Sequence, residues 1–346
     1  MIVTRTPFRV TLGGGGTDLP SYYARHGGFV FSMAITRYMY VMVNPRQIDS
    51  KIIIHYRQSE EVSSLDDVRH DLVREALRAL GVHSAVEIAS IADLPAGTGV
   101  GSSGSFLVGL LLALHQLRRD YVPLQALAEE ACTIELDVLR KPIGKQDQYI
   151  AAFGGLTMLE IAKDGSVCPE SLQVGDSALA DFVASTHIYY TGQDRDAVEA
   201  LGPQNQAMLA AADPRHAQVV DSLHRIKDLG HRIVDAVRSE NFDAWGRLLH
   251  DHWTFKKRLS PAISLTRVDA IYEEVRSRFG VLGGKIIGAG GGGFVMLYSP
   301  TQHKPLETFM AEHGMPRLHY AVEPEGAKVM ADMAAGRRPT RGTVRT

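Results

Sequence analysis

The stretch Leu94–Phe106, LPAGTGVGSSGSF, decides how this chain is read. Ahead of it, Ala85–Ile91 (AVEIASI) has the apolar, β-branched character of a strand, and behind it Phe106–Leu117 (FLVGLLLALHQL) is an apolar run of helical length. The stretch therefore reads as a glycine-rich turn opening a buried helix. Gly97, Gly99, Gly101 and Gly104 let backbone approach a ligand with no Cβ between them, while Ser102, Ser103 and Ser105 offer hydroxyls and N-cap acceptors. Free N–H groups and the positive dipole end make such a helix start a good place to hold a phosphate.

Other glycine loops fit less well. Gly99-x-Gly101-x-x-Gly104 matches the dinucleotide-binding pattern, but so does Gly288-x-Gly290-x-x-Gly293, and the acidic residue due about twenty positions on, at the end of a second strand, is missing: Asp120 sits beside Arg118 and Arg119 just after the helix. A Walker loop needs Lys followed by Ser or Thr, and neither Gly144-Lys145 nor Gly284-Lys285 supplies it. A purely structural turn would not need four glycines interleaved with three serines.

Pro95-Ala-Gly97-x-Gly99-Val100-Gly101-Ser102-Ser103-Gly104-Ser105 resembles the central motif of the GHMP kinases, the family named for galactokinase, homoserine kinase, mevalonate kinase and phosphomevalonate kinase. Thr6-Pro-Phe-Arg9-Val-Thr-Leu-Gly-Gly-Gly15-Gly16-Thr17-Asp18 is similar to the family's N-terminal motif, and Lys285-Ile-Ile-Gly288-Ala-Gly290-Gly291-Gly292-Gly293-Phe294 to its C-terminal one. The three stand in the family's order and span most of the chain. The resemblance implies an α+β architecture of two domains, the first like ribosomal protein S5 and holding nucleotide, the second ferredoxin-like, with the active site between them. The expected boundaries are 1–175 and 176–335, followed by a basic, disordered tail at 336–346.

Composition agrees with a soluble cytoplasmic protein. At 346 residues and 45% apolar content the chain exceeds one typical domain. Lys plus Arg (37) nearly balance Asp plus Glu (39), so no charge excess points to nucleic acid or an anionic membrane. Cys132 and Cys168 form neither a metal pattern nor a disulfide framework, as in a reducing cytoplasm. Met1 leads straight into strand-like Ile2–Thr4, so no signal peptide is expected, and the longest apolar run, Phe106–Leu114, is too short to span a bilayer. Nothing in the sequence fixes the oligomeric state.

Along the chain, short strands are expected at Met1–Arg5, Phe8–Leu12, Gly28–Ile35, Tyr38–Asn44 and Lys51–Tyr56, and a helix at Asp66–Leu80. Leu124–Leu139 reads as a second amphipathic helix whose acids Glu129, Glu130 and Asp137 form a solvated face. Phe153–Glu160 reads as a strand, Lys163–Gly175 as a polar connection and His187–Thr191 as a strand. His216–Arg238, Asn241–Leu259 and Arg267–Phe279 read as helices, and strand-like Lys285–Ile287 and Phe294–Tyr298 flank the last glycine loop.

The family's site residues map onto this sequence one by one. The Gly13–Gly16 run taken alone is also explained by a wide turn; by resemblance, Asp18 accepts hydrogen bonds from sugar hydroxyls and Arg9 lies close to the reacting centre, with Gly15, Gly16 and Thr17 beside the sugar. Galactokinases carry a bulkier Glu-His pair where this chain has Gly15-Gly16, and the all-glycine form is similar to the heptose-phosphate kinase branch, the fucokinases coming next. Glu135 lies seven residues before Pro142, as the family's magnesium-binding glutamate lies before its proline, and Ser103 would share the ion; a plain surface acid is the alternative. Asp147, in Gly144-Lys145-Gln146-Asp147-Gln148, matches the catalytic aspartate, although a helix cap would also explain an Asp there. Lys145 either lowers that acid's pKa, meets a substrate phosphate or is solvated. Arg195, in Thr191-Gly-Gln-Asp-Arg195-Asp-Ala197, either contacts substrate or begins a helix, and Gly290 and Gly291 are expected to pack against the phosphate loop and narrow the site. Together these imply a sugar 1-kinase using ATP and Mg2+, its other substrate a small sugar phosphate.

Overall fold

The computed structural model describes residues 1–194, 197–210 and 212–333. The chain runs β1 (Ile2–Gly14), α1 (Pro20–His26), β2 (Gly28–Pro45), β3 (Ile52–His55), β4 (Ser59–Val62), α2 (Asp71–Ala79), β5 (Val86–Ala92), α3 (Ser102–Arg118), α4 (Leu124–Cys132), α5 (Gln146–Phe153), β6 (Leu156–Ile161) and β7 (Val167–Ser171). It continues with α6 (Asp176–Ser185), β8 (Thr186–Tyr190), α7 (Ala197–Leu209), α8 (His216–Arg238), α9 (Phe242–Lys257), α10 (Thr266–Phe279), β9 (Gly283–Ile286), β10 (Phe294–Tyr298), α11 (His303–Glu312), β11 (Arg317–Leu318) and β12 (Lys328–Asp332).

The first sheet is ordered β12-β1-β2-β5-β3-β4, with β6 also pairing with β2, and β7 with β6. Its axis is the antiparallel pair of long strands β1 and β2, each of which merges two of the expected short ones. β1 runs straight through Pro7 because the ladder shifts register between Pro7 and Phe8, which accommodates the missing N–H. β2 crosses its own expected break because Thr36 N–H finds the carbonyl of Ala321 at 2.9 Å. The second sheet has the order β11-β8-β10-β9, all antiparallel. In chain order that is 4-1-3-2 with helices between, the ferredoxin-like arrangement the resemblance implied. The segment 328–332 returns to the first sheet, where β12 lies antiparallel to β1.

Three local expectations need correcting. Asp66–Leu80 is a 3-10 turn over Leu65–Asp67 followed by α2, because the Glu60 carboxylate accepts the N–H groups of Arg69 (2.7 Å) and His70 (3.1 Å) and draws the chain out of helix between them. The second amphipathic helix widens after α4 into a π-turn over Thr133–Val138, closed by Leu139 N–H on Ile134 O at 2.9 Å. The supposed connection 163–175 contains β7, paired to β6 through a turn in which Ala162 N–H meets Ser166 O at 2.9 Å.

Helix α3 is buried against the β1–β2 pair, and α8 covers the same two strands close to where β1 ends. One core runs through both halves, joining Phe8, Phe31 and Leu110 to Ile233, Trp245 and Phe294. The contact of α8 with the sheet depends on bare backbone: a Cβ on Gly230 would stand 2.7 Å from Phe29 Cδ1 and 3.0 Å from Gly14 N. Gly230→Val should therefore lower stability by about 1–3 kcal/mol through overpacking, read as a lower midpoint in urea with an unchanged slope.

Candidate active site

The glycine-rich loop is bound to β1 before any ligand is present. Arg9 N–H donates to Val100 O (3.1 Å), Thr6 Oγ1 to Ser105 O (2.7 Å) and Ser105 Oγ to Pro7 O (2.9 Å). Helix α3 then starts at Gly101, whose φ of 83° is left-handed, and no side chain among the described residues caps it. The serines do not act as the N-cap acceptors the sequence suggested: Ser105 is spent on β1 and the buried hydroxyl of Ser102 has no partner among the described residues. The first N–H groups of α3 are thus left unoccupied at the edge of a cavity of about 770 Å3.

Arg9, Asp147 and Asp18 meet in that cavity. Arg9 Nε and Nη2 both approach Asp147 Oδ1, at 2.7 and 2.6 Å, and Nη1 donates to Gly99 O at 2.5 Å. No hydrogen bond among the described residues reaches Asp147 Oδ2, so one carboxylate oxygen is pinned and the other is open. Asp147 sits in the first turn of α5 and does not cap it. Its backbone lies against α3 at a point where a Cβ on Gly104 would be 2.7 Å from Asp147 Cβ, so only glycine permits the approach. Asp18 is buried and accepts from Gln146 N–H at 3.3 Å; burial, with the nearby Asp147 charge, raises its carboxyl above the usual range.

Glu135, turned inward by the π-turn, is fully buried and lines the same cavity. Gln148 Nε2 donates to its Oε2 at 2.5 Å, whereas Oε1 has no partner among the described residues. Burial pushes this carboxyl up to about 7, against the pull of Lys141 and of hydrogen bonds from Gln148 and Ser103. An orphaned carboxylate oxygen beside the Ser103 hydroxyl, both facing the cavity, is a donor set that fits a hard divalent cation.

Several expected residues fall elsewhere. Lys145 points away from the cavity: its Nζ donates to Gly165 O at 2.7 Å and meets Glu129 at 3.1 Å, so Glu129 is a structural partner and not part of a solvated face. Thr17 is committed to Phe29, donating to its O at 2.7 Å and accepting from its N–H at 3.1 Å. Pro95, Val100, Gly104, Ser105, Gly290 and Gly291 shape the walls without lining the cavity. Gly291 N–H donates to Ile263 O at 2.8 Å, and a Cβ on Gly293 would stand 2.2 Å from Thr98 O, so the last glycine loop does lie against the phosphate loop. Arg195 and the tail at 336–346 lie outside the described residues. The sequence did not single out Gln204, Lys256 or Lys285, which line the cavity from α7, α9 and β9.

Residues 70–155 match the model of the GHMP kinase N-terminal domain and residues 233–307 that of the C-terminal domain. The chain carries the N- and C-terminal domains of a GHMP kinase, a phosphotransferase. It is 26% identical over 314 residues to a D-glycero-alpha-D-manno-heptose 7-phosphate kinase of Campylobacter jejuni, covering 87% of this chain and 90% of that one. A Bacteroides fragilis L-fucokinase/L-fucose-1-P guanylyltransferase is 25% identical over 332 residues, 85% of this chain and 34% of the longer protein. Among solved structures, a D-glycero-D-manno-heptose 1-phosphate kinase from Bacteriodes thetaiotaomicron superposes with a TM-score of 0.77 at 20% identity, covering 96% and 99% of the two chains. The Lactococcus lactis galactokinase complexed with galactose gives 0.73 at 17% identity, covering 94% of each. No helix among the described residues is long and apolar enough to cross a membrane.

Two measurements test this geometry. A Cβ on Gly144 would stand 1.9 Å from Asp18 Oδ2. Gly144→Ala should displace Asp18 and raise the KM for sugar by about tenfold or more, with a smaller effect on that for nucleotide. Glu135 holds its proton more tightly in the folded protein (about 7) than in the unfolded chain (4.5), so ionising it costs stability as pH rises between those values. Without divalent cations, Glu135→Gln should match the wild type near pH 4.5 and exceed it by about 3 kcal/mol at pH 8 in urea unfolding.

Proposed function

We propose that this chain is an ATP-dependent sugar 1-kinase that phosphorylates the anomeric hydroxyl of D-glycero-D-manno-heptose 7-phosphate, giving the 1,7-bisphosphate. Such a product would serve GDP-heptose formation for bacterial surface polysaccharide, in the cytoplasm. The observation that carries the reading is the pairing of a half-open Asp147, pinned by Arg9, with a cavity wall of bare backbone at Gly15 and Gly16, which leaves room for a seven-carbon sugar. The likeness to the Campylobacter jejuni enzyme supports the same choice of substrate.

In this reading the unoccupied N–H groups of α3 and the backbone of Gly97–Ser103 receive the nucleotide phosphates. Asp18 accepts a hydrogen bond from a sugar hydroxyl. Asp147 Oδ2 takes the proton of the attacking hydroxyl while Arg9 holds Oδ1, which fixes the carboxylate's direction. An anomeric hydroxyl is more acidic than other sugar hydroxyls, so a modest base suffices. Glu135 and Ser103 are the residues that would hold Mg2+, whose contribution is to neutralise phosphate charge.

Coupled ADP release, with ATP and magnesium against heptose 7-phosphate, mannose 6-phosphate, mannose, fucose and galactose, tests the reading. Turnover confined to the 7-phosphate is the expected result. Turnover on free sugars alone would overturn the substrate and favour a kinase of fucose or a related sugar, the reading supported by the Bacteroides fragilis relative. Silence throughout would favour a sugar or nucleotide sensor. Asp147→Asn should lose at least about 10²-fold in kcat while binding nucleotide normally.

A further inference from the structure

Lys285 belongs to the third glycine motif, yet none of the roles above uses it. It projects from β9 into the cavity and its side chain is almost wholly buried, at 1% exposure. An ammonium group taken out of water is costly unless a carboxylate or several acceptors receive it. The other lysines nearby are provided for: Lys141 pairs with Asp71 at 3.1 Å, Lys145 with Glu129, and Lys256 donates to the carbonyls of Ile286 and Gly288. The Lys285 amine has no ion pair and no hydrogen bond among the described residues, and only its backbone is engaged, in the ladder with β10.

The groups that face it offer no compensation. Arg9, from β1, is a second cation, and its charge is already matched by Asp147. His252, from α9, is kept neutral by its own burial, with Nε2 2.7 Å from Gly14 O. Burial and Arg9 together bring the Lys285 amine down to about 7, so an arriving anion would also keep it protonated. What remains to neutralise the amine is whatever enters the cavity. In a kinase that is a phosphoryl group.

We propose that Lys285 is the cation that meets the phosphoryl group in transit between nucleotide and sugar, an assignment that rests on the kinase reading above. Lys285 lines the same cavity as Arg9 and Asp147, which gives its amine access to a phosphoryl group entering there. In the step, the sugar O–H proton passes to Asp147, the bond from phosphorus to the ADP oxygen breaks and a bond from phosphorus to the sugar oxygen forms. Lys285 makes no covalent bond and keeps its proton, offsetting the charge of the phosphoryl oxygens. Because the amine is unpaired in the free enzyme, its interaction is realised where that charge is concentrated, which favours the transition state.

The test is Lys285→Met, with Lys285→Gln in reserve should the first fail to fold. Expected is a fall of about 10²- to 10³-fold in kcat with every sugar that is turned over, KM for ATP and sugar staying within about threefold, and a melting temperature equal to or above wild type. A merely structural lysine would instead lower the melting temperature and spare kcat. A kcat kept within about threefold overturns the proposal. So does a loss confined to the KM of a phosphorylated sugar, which would give Lys285 to the substrate's own phosphate. Inorganic phosphate is the probe that does not depend on turnover: it should raise the melting temperature of the wild type and not of the variant, and an equal rise in both overturns the assignment. Should the wild type turn over no sugar, the kinase reading fails and the phosphate comparison alone decides Lys285.

Discussion

The grip of Arg9 on Asp147 is the interaction on which the rest of the site depends. It joins β1 to the start of α5, residues far apart in sequence, and works only because α3 lets both come close. Gly101 lies against Arg9 and Asp147, and Gly104 against the backbone of Asp147 and Gln148. A side chain at Gly104 would push α5 away and break a charge-assisted pair held at 2.6–2.7 Å. The glycines of the phosphate loop thus serve two ends at once. They leave the cavity edge bare on one side and make room for the Arg9–Asp147 pair on the other.

Around this pair the molecule keeps charges it does not neutralise. Glu135 has an orphaned buried oxygen, Lys285 has no counter-ion among the described residues, and Asp18 stands near Asp147. Each costs folding free energy, and each is pushed toward its neutral form by burial. A core selected for stability alone would have paired or removed them. Their signs are those a phosphoryl transfer needs, a carboxylate for a cation on one wall and an amine for an anion on another. The core shared by the two sheets supplies the packing that tolerates the cost.

The sequence revealed what is local. Glycines that must adopt left-handed φ or admit a neighbour stand out as runs, so the three loops were legible, and the two-domain fold followed from the family resemblance they carry. Helix α8 was legible to the residue because its apolar period is regular from His216 to Arg238. What escaped was set by partners distant in the chain. Lys145 looked like a companion of Asp147 two residues on, but its partner is Glu129 on the preceding helix. Gly144 read as part of the segment leading to Asp147, whereas its bareness makes room for Asp18. Lys285 read as part of a strand, because nothing in its sequence neighbours says that it opens into the same cavity as Arg9 and Asp147.

The start of α3 shows why a phosphate loop needs glycine more than it needs serine. A capped helix spends its first N–H groups on a side chain and has less to offer a ligand. Here Gly101 takes the left-handed cap position, no hydroxyl folds back, and Ser105 is tied to β1. The loop is therefore held rigidly by strand contacts and by the Gly288–Gly293 loop lying against it, while its donors stay unspent. Preorganisation comes from the scaffold, so binding phosphate does not have to order the loop as well. The same division recurs at Asp147, where Arg9 fixes one oxygen and leaves the other open to the cavity: in both places the protein commits the atoms that hold position and leaves their neighbours unspent.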